Sequence, residues 1–392
     1  MSKDTTIISN LRSFFVKNGN DCIFIFLKWF YMQIIYNKTN PQESFSSLIS
    51  TIKLQKKVKR VLIIRGRHSF ETSGAKELLK PLVENTSLEV KEWADFTSNP
   101  KREEVNVGVE LKNVYSPELI IAVGGGSVID MAKLVRFYSA DTATPLLAIP
   151  TTSGTGAEST KFAVCYVNGV KTSVCDDAIL PDYVFLDSSL TLKNSDYLTA
   201  CTGFDALAQA IEAYWNINAT IGSDQIALKA IKLLFDNLKN VGKINEENRR
   251  EELMVGANLA GQAINITRTT APHAMSYTFT SKFGYPHGHA VALTFPAFFE
   301  LNVNCSRENY LGNDYDAYHA KMLTLLGIMG ISQDLDIKTF LYAYIKKLGL
   351  SFDSQRPFDN EVVVNGINLE RAKNNPHILT KDIINQVVKS IK

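Results

Sequence analysis

The chain has 392 residues, 45% of them hydrophobic and 21% charged, with 42 basic and 40 acidic residues giving a net charge of +2. That length predicts two domains, or one large domain with a subdomain, of ordinary globular composition. The near-balanced charge argues against a nucleic-acid partner, and five cysteines without a Cys-x-x-Cys pair predict a reducing, cytoplasmic setting.

Cys22 to Tyr36 is apolar and aromatic, but Lys28 and Gln33 interrupt it, and the run is short for a bilayer. No small-residue cleavage site follows a clean apolar core, so a signal peptide is not expected. The stretch reads as a packed helix followed by a strand, Met32 to Tyr36, with no membrane attachment.

From about residue 50 to 190, strands and helices alternate. Val58 to Ile64 reads as a buried strand ending at Gly66, Ser73 to Val83 as a helix, and Leu88 to Trp93 as a short strand. Asn99-Pro100 breaks the chain before a helix over Glu103 to Val114. Leu119 to Val123 is a continuous apolar run that stops at three glycines, with a helix over Val128 to Tyr138 and a strand over Leu146 to Pro150 behind it. Continuous apolar strands between helices predict a parallel sheet covered on both faces. Beyond Leu190 every periodic segment is helical: Tyr197 to Trp215, Ser223 to Leu238, Asn248 to Asn265, Met275 to Phe283, Pro296 to Asn302, Tyr315 to Gly327, Ile337 to Leu348 and Lys381 to Ile391. The expected organisation is an extension over 1–33, a Rossmann-like α/β dinucleotide-binding domain over 34–190 and an all-helical domain over 191–392.

Two turns carry chemistry. Gly124-Gly125-Gly126-Ser127 follows a strand and opens a helix. Without side chains, the glycines let backbone N–H groups approach a pyrophosphate, and the helix N-terminus adds partial positive charge. Thr151-Thr152-Ser153-Gly154-Thr155 follows the next strand, so both turns fall at the carboxyl edge of one sheet, where open α/β folds bind ligands. Further on, Asp205 and Gln209 are four apart, which places them on one helix face. With His273 and His287 downstream, Asp205 supplies ligand types suited to a catalytic divalent metal with an open position.

These segments resemble the iron-containing, group III metal-dependent alcohol dehydrogenases. The matching runs are Gly124 to Lys133, Ile149 to Glu158, Thr202 to Leu207 with Ala210 to Tyr214, Pro286 to Val291 and Arg371 to Pro376, and the likeness extends from about residue 34 to the C-terminus. It implies a cofactor, NAD(P)H, and one divalent metal, Fe2+ or Zn2+, held by Asp205, Gln209, His273 and His287. A homodimer acting on a small-molecule aldehyde or alcohol is implied too. At the second ligand position the family usually has histidine, and this chain has Gln209; Tyr277 stands where many members have another histidine. The surrounding texture is similar to the branch that reduces phosphonoacetaldehyde to 2-hydroxyethylphosphonate, whose members also carry glutamine there.

The resemblance carries further roles. Gly66, Asn99, Gly124, Gly125, Gly126, Ser127, Asp130, Thr151, Thr152, Thr155 and Lys171 match cofactor positions. Gly66 stands where an acid often excludes the 2′-phosphate, and Arg65 and Arg67 flank it, so NADP is tolerated. Lys161 and Arg268 are candidates for a phosphonate. His289 and Tyr277 are candidates for passing the proton, beside water and the cofactor ribose. Three other readings remain: a general short-chain alcohol or aldehyde dehydrogenase, a lyase related to the dehydroquinate synthases, and a nucleotide-binding homologue that has lost its metal.

Overall fold

The structure is a computed structural model that describes residues 15–18, 22–26, 32–36, 40–239, 247–332, 335–367 and 369–391. The chain divides into two compact units, one of residues 1–152 and 157–193, the other of 153–156 and 194–392.

The first unit contains strands β1 (Phe15–Asn18), β2 (Cys22–Phe26), β3 (Gln33–Tyr36), β4 (Arg60–Arg65), β5 (Glu89–Trp93), β6 (Leu119–Gly124), β7 (Leu146–Pro150), β8 (Phe162–Val167), β9 (Val170–Cys175) and β10 (Tyr183–Leu186). Its helices are α1 (Pro41–Lys56), α2 (Arg67–Thr72), α3 (Ala75–Val83), α4 (Arg102–Tyr115) and α5 (Gly126–Tyr138). One sheet runs β1-β2-β3-β10-β7-β6-β4-β5, parallel from β3 to β5, with β1 and β2 added antiparallel. Side chains of β4 alternate between two cores. Val61 and Ile63 pack with α1 and α3, while Leu62 and Ile64 pack with α5. Complete burial on both faces is what a continuous apolar strand requires. Each such Ile or Leu contributes about 1.5–3 kcal/mol through burial.

In β6, Val123 pairs with Arg65 of β4 and Gly124 with Pro150 of β7. The three strands therefore end level, and Gly66, the glycine run and Thr151 share one carboxyl edge. Two backbone bonds extend the ladder into the turns: Gly66 N–H donates to Val123 O at 3.2 Å, and Thr151 N–H to Gly124 O at 3.0 Å.

Several expectations are corrected here. Cys22 to Phe26 is a strand and not a helix, paired antiparallel with β3. Its β-branched and aromatic residues favour an extended chain over a helical one. Residues 27–31 of the same stretch lie outside the described residues. The helix expected over Ser73 to Val83 is α3, which starts at Ala75 behind Gly74 (φ +95°), and the short α2 ahead of it was not anticipated. The β8–β9 hairpin and β10 were not anticipated; the hairpin turns at Asn168 (φ +50°) and Gly169 (φ +77°).

The second unit contains α6 (Asp196–Trp215), α7 (Ile221–Leu238), α8 (Glu247–Thr267), α9 (Ala271–Phe283), α10 (His287–Val303), α11 (Tyr315–Met329), α12 (Ile337–Lys347), α13 (Asn360–Asn365), α14 (Leu369–Ala372) and α15 (Lys381–Lys389). Among the described residues beyond 190 there is no strand. Helix α6 is its central element, buried from Thr199 to Trp215 apart from Thr202. Ser195 caps it by accepting the Leu198 N–H at 3.2 Å. The Trp215 ring stacks on Phe295 with centroids 5.8 Å apart. Helix α10 begins at His287, a full two turns before the expected Pro296, because that proline is accommodated inside the helix. Among the described residues, no helix is long and apolar enough to cross a membrane.

Candidate metal centre and cofactor edge

Helix α6 presents Asp205, Gln209 and Glu212 at spacings of four and three, one polar stripe in a helix that is otherwise apolar from Gly203 onward. All three are buried, at 2%, 4% and 0% exposure. Helix α9 supplies His273 from its first turn, and α10 supplies His287 as its first residue. Ligand atoms of Asp205, His273 and His287 lie within 4.8 Å of one another. Small side-chain movements would bring them to the ~2.0–2.2 Å bonds of a divalent ion.

Two features show how the residues suit a cation. The Gln209 amide N–H donates to Thr155 O at 3.4 Å, while its Oε1 is buried with no hydrogen-bond partner. A buried acceptor without a donor is costly unless something electropositive meets it. The second feature is Glu212. It accepts from His273 Nδ1 with one oxygen, and from Thr270 N (2.6 Å) and Thr270 Oγ1 (2.9 Å) with the other. Trp215 Nε1 donates in turn to Thr270 Oγ1 at 2.9 Å. A carboxylate that orients the far nitrogen of a ligating histidine fixes both its tautomer and its ring plane.

His273 Nε2 is 3.0 Å from Asp205 Oδ1, and His287 Nε2 is 3.7 Å from the same oxygen. Burial alone lowers the pKa of His273, but the charges and hydrogen bonds of Glu212 and Asp205 outweigh it and raise the value to about 10. Glu212 was not assigned a role from the sequence, although its place seven residues after Asp205 is a legible signal.

Tyr277 lies against this cluster, its ring parallel to that of His287 (4°) with centroids 6.1 Å apart. Its phenol oxygen accepts from Arg371 Nη1. Burial raises the Tyr277 pKa, and Arg371 opposes that rise only in part. His289 belongs to a different set of contacts. Nε2–H donates to Ser351 O at 2.8 Å, so Nδ1 accepts from the Tyr197 hydroxyl at 2.8 Å. Burial lowers its pKa, which keeps this neutral tautomer.

In the first unit, Gly125 is the N-cap of α5 and Gly126 its first residue. Gly124 has φ +157°, and a Cβ there would come within 2.6 Å of Val128 Cγ2. Ser127 Oγ accepts from Asn99 N at 3.2 Å, which fixes Asn99 (φ +61°) over the start of the same helix. Asp130 Oδ2 accepts from Val164 N at 3.0 Å and so secures β8, close to the charges of Lys133 and Lys171. Thr151 and Thr152 stay with the sheet, whereas Thr155 is grouped with the helical unit. Arg65 is paired with Glu92 (2.6 Å) and Arg67 with Asp95. Of the residues expected to meet a phosphonate, Lys161 is paired with Asp177 at 2.8 Å. Arg268 is exposed, in a left-handed conformation (φ +67°) at the end of α8.

A glycine-bearing parallel sheet edge and a helical unit with an Asp-His-His cluster, Asp205 and His273 buried and His287 half-buried, fit the class of nicotinamide- and metal-dependent oxidoreductases. The comparisons make the family specific. The signature described as "Iron-containing alcohol dehydrogenase" matches residues 41–188, and "Fe-containing alcohol dehydrogenase family, C-terminal" matches 199–390. The chain belongs to the iron-containing alcohol dehydrogenase family and is an NAD(P)-dependent alcohol/aldehyde oxidoreductase. It is 29% identical to an NADPH-dependent butanol dehydrogenase of Clostridium saccharobutylicum, over 86% of this chain and 92% of that protein. It is 27% identical to an aldehyde-alcohol dehydrogenase of Streptococcus pneumoniae, over 82% of this chain but only 40% of that longer protein. Among solved structures, an iron-containing alcohol dehydrogenase of Thermotoga maritima superposes with TM-score 0.74 at 27% identity, covering 91% of this chain and 97% of that one.

Proposed function

We propose that the protein reduces phosphonoacetaldehyde to 2-hydroxyethylphosphonate with NAD(P)H, using one divalent ion held by Asp205, Gln209, His273 and His287. The observation that carries this reading is Gln209: an amide oxygen, buried and without a donor, one helical turn from Asp205. The sequence resemblance associates glutamine at this position with that branch.

When bound, the ion supplies Lewis-acid polarisation of the aldehyde oxygen and the nicotinamide supplies the hydride. The chain's own residues do the rest. Glu212, itself held by Thr270, fixes the His273 ring through Nδ1, which would leave Nε2 to hold the ion. The open edge at Gly124, Gly125 and Gly126 and the N-terminus of α5 receive the pyrophosphate, with Ser127, Thr151 and Thr152 hydroxyls beside it. Tyr277 keeps its phenolic proton at neutral pH and remains available to pass it on. His289, with both nitrogens engaged by Tyr197 and Ser351, serves as a brace. No acid stands at Gly66, so NADPH is accepted alongside NADH.

The same site serves an unsubstituted short-chain aldehyde in a second reading, favoured by the similarity to a butanol dehydrogenase over most of both chains. Oxidation of NADH and NADPH by protein loaded with Fe2+, Zn2+ or Mn2+ separates the two. A higher kcat/KM for phosphonoacetaldehyde than for butanal supports the phosphonate reading. Equal or better turnover of butanal refutes it.

A further inference from the structure

One cation beside the candidate metal centre was not among those singled out for substrate binding. Arg371, on the short helix α14, donates from Nη1 to the Tyr277 phenol oxygen and lies 4.9 Å from that ring's centroid. Tyr277 in turn lies parallel to His287, 6.1 Å between centroids. The guanidinium is therefore no further from the His287 ring than those two separations laid end to end. A short aldehyde with a terminal acid group, together with one contact at each end, fits inside that limit. Lys161 is committed to Asp177, and Arg268 is exposed at a helix end.

We propose that Arg371 is the specificity determinant of this site, gripping the anionic head of an oxyanion-bearing short aldehyde, with Tyr277 as the residue that positions it. The planar guanidinium suits a phosphonate or carboxylate through paired N–H donors, a geometry a lysine ammonium does not reproduce. Tyr277 restrains it twice, by accepting one N–H and by lying under the cation, so less side-chain freedom remains to be lost on binding. The inference rests on the reading that the substrate carries an acid group. It differs from the phosphonate proposal in claiming a residue and a charge, not one particular acid.

The test compares wild type with Arg371→Met, Arg371→Lys and Tyr277→Phe, all metal-loaded, on phosphonoacetaldehyde, succinic semialdehyde and butanal. A second readout is calorimetric binding of 2-hydroxyethylphosphonate and methylphosphonate. Loss of a charge-assisted hydrogen-bonding partner predicts a KM for the acid-bearing aldehyde raised about 10- to 100-fold in Arg371→Met, with a smaller change in kcat. Calorimetric affinity falls in parallel, Arg371→Lys recovers part of the loss, and Tyr277→Phe falls between wild type and Arg371→Met. If wild type prefers phosphonoacetaldehyde and the Arg371 variants keep both KM and affinity, this inference falls while the phosphonate reading stands. An Arg371-dependent preference for succinic semialdehyde sinks the phosphonate reading and supports the inference. If butanal is the best substrate and neither phosphonate binds, both are overturned. Equal losses on all three aldehydes would make Arg371 structural and also overturn it.

Discussion

The proposed cofactor edge and the candidate metal centre are built by opposite means. The edge is made of backbone: three strands ending level, a glycine run and a helix N-terminus, with side chains mainly kept out of the way. The candidate metal centre is made of side chains from three helices, 205 to 287 in sequence, with Glu212 and Thr270 behind His273. The first depends on local chain geometry and the second on tertiary packing, so they should fail differently under mutation.

The largest effect is expected at the centre. Polarisation by a metal is worth several kcal/mol, so His273→Ala should lower kcat/KM by roughly 1000-fold or more. Bound metal, counted by elemental analysis, should be lost in the same variant. Glu212→Gln keeps the shape but weakens the grip on His273. A fall of about 10- to 100-fold in metal affinity is expected, measured by competition with a chromogenic chelator; unchanged affinity would show that Glu212 only packs. On the edge, Gly124→Ala places a Cβ against Val128 at a φ that L-residues rarely adopt. A strain of about 1–3 kcal/mol should appear as a raised KM for NAD(P)H with metal content intact. Gln209→His should have the smallest effect, tightening metal binding by about tenfold or less because imidazole is the better donor for such ions.

Acidity distinguishes the two regions as well. In the metal-free protein, His273 is held as an imidazolium between Glu212 and Asp205, its pKa raised to about 10. A raised folded-state pKa stabilises the fold fully below the unfolded value of 6.5, and that stabilisation is lost as pH rises through about 10. Metal must displace this proton, so apparent metal affinity should climb with pH across the same window. Calorimetry of metal binding in buffers of different ionisation enthalpy should show a proton released near neutral pH.

What the sequence revealed follows the same division. The glycine run and the threonine turn were readable because contiguous residues build them. Asp205, His273 and His287 were readable as ligand types, and α6 spacing placed Gln209 beside Asp205. Glu212 went unassigned because its role depends on Thr270 and His273, dozens of residues away. Arg371 was quoted in a motif, but only folding brings it to Tyr277. The β8–β9 hairpin is a different kind of miss. Asn168-Gly169 is a strong short-range turn signal, but the flanking strands are half-exposed and lack the continuous apolar pattern used to find the others. Cys22 to Phe26 shows the converse error, since apolar character alone does not separate a short helix from a strand.

The measurement that tests the central claim most directly is X-ray absorption of the metal-loaded protein, wild type beside Gln209→Ala. The account predicts one ion per chain with two imidazole nitrogens, the remaining donors oxygen, and one oxygen donor altered in the variant. A single imidazole, a sulfur donor from Cys201, which lies one turn before Asp205 on α6, or an unchanged spectrum in Gln209→Ala would contradict it.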